Sequence, residues 1–375
     1  MKTFNVRIAS LGDVHIGHPR TKASHIIANL YHYLLERTFF KELDILLING
    51  DFWDQLLTLT SDAAIEAEQF IGDLLYLAKK HNVLIRVLEG TPLHDCKHSS
   101  KFTALNQIAK IEADVKHFDH LAIEYIESLG IHILYVPDEL TTSPDRTWEL
   151  VQELLTANQL DAVDYVSMHG AFTYQLPVQA QHNCHDPVRW QRIVRRNIFI
   201  NHVHTSSQYG KIIAPGSFDR LKHGEEEAKG FIYVEAIDDV NNIRFIENQN
   251  AKIYRTFDCR GLALDDVYAL LAVVADAPPD SNFRITATRD DAIINGYDTL
   301  RKMYPQMNWS FKPEKAEVSA ISLLPMRYNA PTINRGNFKD ALASKLKTME
   351  IDTTDTVYQW IMDYVEKVVA NECNA

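Results

Sequence analysis

The residues able to do chemistry in this chain fall into five short clusters, each directly following an apolar run. They are Asp13-Val14-His15, Gly50-Asp51-Phe52-Trp53-Asp54, Gly90-Thr91-Pro92-Leu93-His94-Asp95, Met168-His169-Gly170 and Asn201-His202-Val203-His204. Mixed carboxylate and imidazole donors suit Mn, Fe or Zn, whereas Mg prefers a nearly all-oxygen shell and a structural zinc recruits thiolates. The clusters therefore predict a site for two divalent ions, with Mn the first choice and Mg, Fe or Zn the alternatives. Two ions held together lower the pKa of a bound water and clamp a phosphoryl group, which is the chemistry of phosphoester hydrolysis.

Such donors need elements that bring them together. The preceding runs, Val6 to Leu11, Ile45 to Ile48, Val83 to Leu88, Ala162 to Met168 and Ile198 to Ile200, are short and rich in β-branched residues, and read as buried strands. Ligands at their carboxyl ends converge on one edge, where open α/β sheets bind their ligands. In Asp13-Val14-His15 and His202-Val203-His204 the alternation of an extended chain predicts both donors on one side. Between the runs, Ser24 to Phe40 and Ser61 to His81 carry helical periodicity, the second with Ser61-Asp62 as a cap and Asn82 as a stop.

The chain has 375 residues and a formal net charge of -12, which argues against a general nucleic-acid coating protein. It leaves a nuclease open, because two divalent ions would set the local field where a phosphate sits. The four cysteines, Cys96, Cys184, Cys259 and Cys373, form no CxxC pair and read as reduced thiols. Neither a signal peptide nor an apolar stretch of membrane-spanning length is legible, so the expectation is a cytoplasmic protein without membrane contact.

In order and type the clusters resemble the calcineurin-like metallophosphoesterases, and within them the SbcD-type nuclease subunits that work with a coiled-coil ATPase in DNA processing. The subfamily sign is Ala214-Pro215-Gly216-Ser217, then Arg220, Glu225 to Glu227 and Lys229-Gly230-Phe231. The resemblance covers roughly the first two thirds of the chain and beyond Thr256 is one of layout only. It implies that Asp13, His15 and His204 hold one ion and His169 and His202 the other, with Asp51 bridging both. It also implies a four-layer α-β-β-α sandwich over 1–255, a small α/β capping domain over 256–330 and a C-terminal helical segment over 331–375 that docks on the ATPase. His94 would act at the leaving oxygen as general acid or hydrogen-bond donor, and Asp54 or Asp95 would fix an imidazole from behind. A homodimer is implied as well, with Ser61 to Ala78 a candidate surface.

The third cluster departs from the family pattern, in which Gly is followed by Asn and His. Aligned from Gly90 the Asn position is Thr91; aligned from His94 it is Leu93. The second ion is then held more loosely, completed by water, or ligated by His94. At Asn201 the family has Gly, and the plain reading of that change is a tolerated small residue. The compact size and the altered motif suggest a divergent lineage, such as a phage version acting in the host cytoplasm.

Asp186-Pro187 reads as a helix start, with an N-cap acid and proline at the first helical position. Continued as a helix, Val188 to Arg196 would set Arg189, Arg192 and Arg196 on one face. With Arg220, these are the DNA-binding candidates, and Trp190 or Tyr174 could stack on an unpaired base. The plainer reading is a solvated face with Trp190, Ile193 and Val194 packed inward. The dense donors His182, Asn183, Cys184 and His185 are read as loop residues, not ligands, and His120 is the one other histidine close enough in sequence to approach the cleft.

Farther on, Lys211 to Ala214, Gly230 to Ala236 and Asn242 to Glu247 lack long intervening helices and predict an antiparallel second sheet. Leu264 to Val274 and Ile293 to Met303 predict helices, with strands at Asn282 to Thr288 and Trp309 to Phe311. In the last segment Val357, Trp360, Ile361, Tyr364, Val365 and Val368 recur at helical spacing as an apolar stripe. The function expected is a metal-dependent DNA exonuclease or endonuclease subunit partnered by an SbcC-type ATPase in repair or recombination. A small-molecule phosphodiesterase of the same fold and a DNA-end-binding scaffold with a weakened metal site are the alternatives.

Overall fold

The computed structural model describes residues 5–138, 143–238 and 240–312, with 342–343, 358–359 and 361–362. In chain order the first strands are β1 (Asn5–Leu11), β2 (Ile45–Asn49), β3 (Leu84–Leu88), β4 (Val115–Phe118), β5 (Ala122–Ile126), β6 (Ile131–Val136), β7 (Val163–His169) and β8 (Val194–Asn201). They are followed by β9 (Ser207–Tyr209), β10 (Ile212–Ala214), β11 (Gly230–Ile237), β12 (Val240–Glu247), β13 (Tyr254–Asp258), β14 (Asn282–Thr286) and β15 (Asn308–Phe311). The helices are α1 (Ala23–Leu30), α2 (Asp62–His81), α3 (Pro92–Asp95), α4 (Lys101–Ile108), α5 (Pro144–Ala157), α6 (Pro187–Arg192), α7 (Leu264–Leu271) and α8 (Ala292–Met303).

Two six-stranded sheets, in the orders β12-β11-β1-β2-β3-β4 and β5-β6-β7-β8-β10-β9, form the centre of the molecule. Side-chain alternation along each strand feeds two layers at once. On β1, Val6 and Ile8 face inward, where with Ile45, Leu47 and Val234 they meet Ile133, Tyr135, Tyr165 and Phe199 of the second sheet. Ala9 and Leu11 face outward onto Ile26, Leu30, Phe70 and Leu74. On the far side Leu134, Val166, Met168 and Ile200 pack against Val151, Leu155 and Trp190. The α-β-β-α sandwich follows from that three-way burial.

The longest helix obeys its sequence. The Ser61 hydroxyl accepts the Ala64 N–H, and Asn82 ends α2 in the left-handed conformation at φ 57°. Ala67, Phe70, Ile71, Leu74, Leu75 and Ala78 recur every three to four residues and are buried against the first sheet. Truncating Leu74 to Ala would cost about 2–5 kcal/mol through lost burial and the cavity left behind.

Two expectations fail. The single helix over Ser24 to Phe40 breaks into α1, a π-helical turn at Tyr31–Leu35 and a 3-10 turn at Thr38–Glu42. The late strands do not make an antiparallel sheet of their own: β10 joins the second sheet beside β8, while β11 adds antiparallel to β1 in the first and carries β12 with it. A strand run shows its own period but not which neighbour's backbone it will satisfy.

Residues Met1–Glu314 form one compact unit and Lys315–Ala375 the other. Within the first, β13, β14 and β15 make a separate parallel sheet, covered by α7 and α8 over Phe257, Val267, Leu271, Phe283, Ile285, Ile293 and Leu300. It is tied to the sandwich by the Thr21 hydroxyl, 3.3 Å from the Tyr254 hydroxyl, and by Lys22 on Asp280 at 2.8 Å. Apart from 342–343, 358–359 and 361–362, the helices expected in the C-terminal segment lie outside the described residues, as does all of its apolar stripe except Ile361. Among the described residues no helix is long and apolar enough to cross a membrane, and Cys96, Cys184 and Cys259 are unpaired.

Candidate two-metal centre

The carboxyl ends of β1, β2 and β3 in one sheet and of β7 and β8 in the other open onto a common cleft. Among the described residues, three groups of donors lie with ligand atoms within 4.8 Å of one another: Asp13, His15 and His204; His15, Asp51 and His94; Asp51, His169 and His202. They share members, so they form one centre with two halves.

Extended alternation does not build this centre. β1 ends at Leu11 and β8 at Asn201, and the ligands beyond them turn into positive φ: Asp13 at 48°, His15 at 55°, Asp51 at 49° and His202 at 127°. Such values are uncommon outside glycine and cluster where the surrounding structure dictates them. Here the loops after β1 and β2 zip together, with the Val14 and His15 N–H groups both donating to the Asp51 carbonyl at 2.8 and 3.0 Å. The loop after β3 is fixed to them by Asp95, which is fully buried and accepts the N–H groups of Asp51, Trp53 and Gly90 at 3.1, 3.0 and 2.7 Å. Asp95 thus holds backbone and no imidazole. Burial, and after it the Asp51 charge, push its carboxyl up to about 7 against the pull of the Trp53 and Gly90 N–H groups. Gly90 is required here, because a Cβ would lie 2.2 Å from the Asp51 nitrogen.

The ring orientations carry the chemistry. His169 donates Nδ1–H to the Asn49 carbonyl at 2.8 Å, and His94 donates Nδ1–H to the Asp54 carbonyl at 2.8 Å. A carbonyl can only accept, so each Nδ1 carries a proton and each Nε2 is the nitrogen turned toward the cleft. His15 Nδ1 meets the Asp54 carboxylate at 3.0 Å, and His204 Nδ1 meets Glu225 at 2.9 Å. Their two Nε2 atoms then face each other across 3.1 Å. Two imidazole nitrogens this close share a cation, whether a proton or a metal ion, and imidazoles anchored through the far nitrogen are the usual way proteins present a metal ligand. The Asp13 Oδ1 atom is buried without any partner, another acceptor directed at the same place. This donor set fits a pair of divalent ions.

Electrostatics follow the geometry. Burial would raise the Asp51 carboxyl, but His169, His15 and His94 outweigh it and hold the group well below the usual carboxylate range. Burial would lower His204, yet the Glu225 hydrogen bond and the Asp13 charge hold it above its ordinary value. Burial, followed by the neighbouring His169, lowers His202. Glu225 itself, despite burial, is drawn down to about 2 by His204 and Lys229.

Five supporting residues were not legible as such in the sequence. Glu225 orients His204, and the buried Lys229 bonds the His204 carbonyl at 2.9 Å, so the Pro-Gly-Ser to Lys-Gly-Phe string is the support of one ligand. Asn49 anchors His169 by its carbonyl and Ser10 and Ser167 by its amide. Asn201 is more than a tolerated small residue: its amide donates to Asp13 at 3.2 Å and to the Gly216 carbonyl at 3.1 Å. It occupies space that Gly12 leaves, where a Cβ would come within 2.6 Å of its side chain. Thr91 is the fifth, with its N–H on Asp51 Oδ1 at 2.6 Å and its hydroxyl on Asp51 Oδ2 at 3.1 Å. The signal available was the alignment from Gly90; Leu93 is 83% exposed. His94 falls in a group with His15 and Asp51, not with His169 and His202.

The arginine stripe is not built. α6 ends at Arg192, and Val194 to Asn201 form β8 between β7 and β10, because ladder bonds on both edges outweigh a short helix. Arg189 pairs with Asp145 and lies over Trp148, Arg196 bonds Asn241, and Arg220 bonds the carbonyls of Ala251, Lys252 and Glu226. Arg192 is exposed. Trp190, Ile193 and Val194 are buried, so Trp190 is closed to a base, and Tyr174 stacks on Tyr209. His120 is exposed and bonded to Asp119, away from the donor groups.

No protein-family model and no curated protein matches this chain. Among solved structures, TT1561 of Thermus thermophilus aligns over 64% of this chain and 99% of its own, at 6% identity and a TM-score of 0.36. A second solved chain gives the same coverages and TM-score at 12% identity. At those values the functional reading rests on the side chains of the cleft alone.

Proposed function

We propose that this chain is a metal-dependent phosphodiesterase of the two-ion type, and that its substrate is DNA. The observation that carries the first part is the convergence of His15, His94, His169 and His204, each anchored through Nδ1, around the carboxylates of Asp13 and Asp51. Asp13, His15 and His204 would hold one ion, His169 and His202 the other, and Asp51 both. When bound, the ions supply an activated water and charge stabilisation for the phosphoryl group. The protein's share is positional. Asp54 and Glu225 keep His15 and His204 in one tautomer. His94, fixed on the Asp54 carbonyl, keeps Nε2 unengaged for a proton donated to a phosphoryl or leaving oxygen.

The DNA reading is supported by the subfamily string from Ala214 to Phe231 and by the separate β13-β14-β15 unit docked beside the sandwich. On this reading the protein is a nuclease subunit that works as a homodimer with a coiled-coil ATPase in DNA end processing. A small phosphoester is the second reading, favoured by one observation: Arg189, Arg196 and Arg220 are spent on internal partners. The test is hydrolysis of end-labelled single- and double-stranded DNA with Mn, beside bis-p-nitrophenyl phosphate and a cyclic nucleotide. Mn-dependent degradation of DNA supports the nuclease. Turnover of small esters alone transfers the conclusion to the second reading.

A further inference from the structure

We infer that the Thr91 hydroxyl is a ligand of the second ion, and that this makes the second half of the centre the weaker and more readily emptied one. The inference rests on reading the cleft as a two-ion site.

Distances are the first argument. Thr91 Oγ1 lies 3.1 Å from Asp51 Oδ2, 3.2 Å from His169 Nε2 and 3.4 Å from His202 Nδ1, and His169 Nε2 lies 3.4 Å from Asp51 Oδ2. Donors that share an ion at about 2.1 Å stand about 3.0 Å apart along an octahedral edge and about 3.4 Å apart along a tetrahedral one. All of these separations fall in that window.

Proton counting is the second. A hydroxyl has one proton and two lone pairs. Thr91 spends its proton on Asp51, while His169 has spent its Nδ1–H on the Asn49 carbonyl. The 3.2 Å contact between Thr91 Oγ1 and His169 Nε2 therefore turns a hydroxyl lone pair toward the imidazole nitrogen. A cation held among Asp51, His169, His202 and Thr91 would meet an oxygen lone pair that the bond to Asp51 leaves free.

The side chain is also held where a ligand must be. Its own N–H is fixed on Asp51 Oδ1 at 2.6 Å, Pro92 starts the following helical turn, and a β-branched residue has few rotamers to choose from. The halves then differ in charge. The first has Asp13 to itself, shares Asp51, and has imidazoles backed by the Asp54 and Glu225 carboxylates. The second has a shared carboxylate, a neutral hydroxyl and an imidazole backed by a carbonyl, and fewer anionic donors mean weaker binding of a hard cation.

The experiment is calorimetric titration of the metal-free full-length chain with Mn, with Mn paramagnetic resonance reporting a coupled pair, on wild type, Thr91→Val and Thr91→Ser. Thermal unfolding in chelator checks that each variant is folded. Wild type should bind two ions, the second more weakly. Thr91→Val should lose second-ion affinity by about tenfold to 100-fold and lose the coupled signal, with the first ion unchanged, and Thr91→Ser should keep both ions. Should Thr91→Val not fold, Thr91→Ala replaces it against Thr91→Ser. A Val or Ala variant that titrates like wild type overturns the role of Thr91 and leaves the two-ion reading standing; a wild type that binds a single ion overturns both and leaves a one-ion hydrolase. A wild type that binds no ion overturns the metal reading itself.

Discussion

The two halves of the cleft use the same residue types but support them differently. On one side Asp13, His15 and His204 are backed by side-chain carboxylates, Asp54 at 3.0 Å and Glu225 at 2.9 Å. On the other, His169 is backed by the main-chain carbonyl of Asn49 at 2.8 Å. A carboxylate behind an imidazole raises its basicity as well as fixing its tautomer; a carbonyl mainly fixes the tautomer. The contrast teaches that, as a metal site, one half would favour affinity and the other position, with Asp51 common to both donor groups.

Removing the shared member should break the comparison altogether. Asp51→Ala is expected to abolish binding of both ions by calorimetry and to lower phosphodiester turnover by at least about 10³-fold, the upper range for loss of one electrostatic element. Next in size, His94→Ala should lower kcat by about 10²-fold while both Mn affinities stay as in wild type. Loss of an ion in that variant would make His94 a ligand of the first half. Glu225→Gln separates the halves, since the first ion should weaken by about 10- to 100-fold and the second hold. Equal weakening of both would erase the distinction.

An effect on stability and not on the ions lies beside the second half, at His185, which stands among Phe172 and Trp190. Burial, with Arg189 adding to it, pushes this imidazole down to about 4 from the ordinary 6.5. The folded state then disfavours the proton that the unfolded chain accepts. Its contribution to stability is complete above pH 6.5 and is lost as pH falls from 6.5 to 4. Melting temperature measured in chelator should decline over that interval in wild type and decline less in His185→Gln, by an amount corresponding to on the order of 3 kcal/mol at most. Parallel curves would show that His185 is not the titrating group.

Much of the centre was legible because its strands are. Val6 to Leu11, Ile45 to Ile48, Val83 to Leu88, Ala162 to Met168 and Ile198 to Ile200 are predominantly apolar on both faces, as a strand between two covered layers requires. Each is followed within six residues by Asp or His, so donors near strand ends could be read without coordinates. Arg196 shows the opposite case. Its local sequence continues a plausible helix from Pro187, yet β7 and β10 supply ladder partners on both edges of β8, and that supply is nonlocal. The helix over Ser24 to Phe40 was read too long for a similar reason, since periodicity does not register where packing forces the winding to change.

From its sequence alone the chain determined its strand runs, the α2 helix with its Ser61 cap and Asn82 stop, and the donor types at five loop starts, because all of these depend on neighbours within a few residues. Tertiary structure decided the rest. It turned Asp13, His15, Asp51 and His202 into positive φ, set Asn201 into the space beside Gly12, and brought Thr91 rather than Leu93 up to Asp51 and His169. Those outcomes depend on backbone bonds between loops far apart in the chain, such as Asp95 to the Asp51 and Gly90 nitrogens. No local pattern encodes a hydrogen bond whose partners meet only when two sheets have packed.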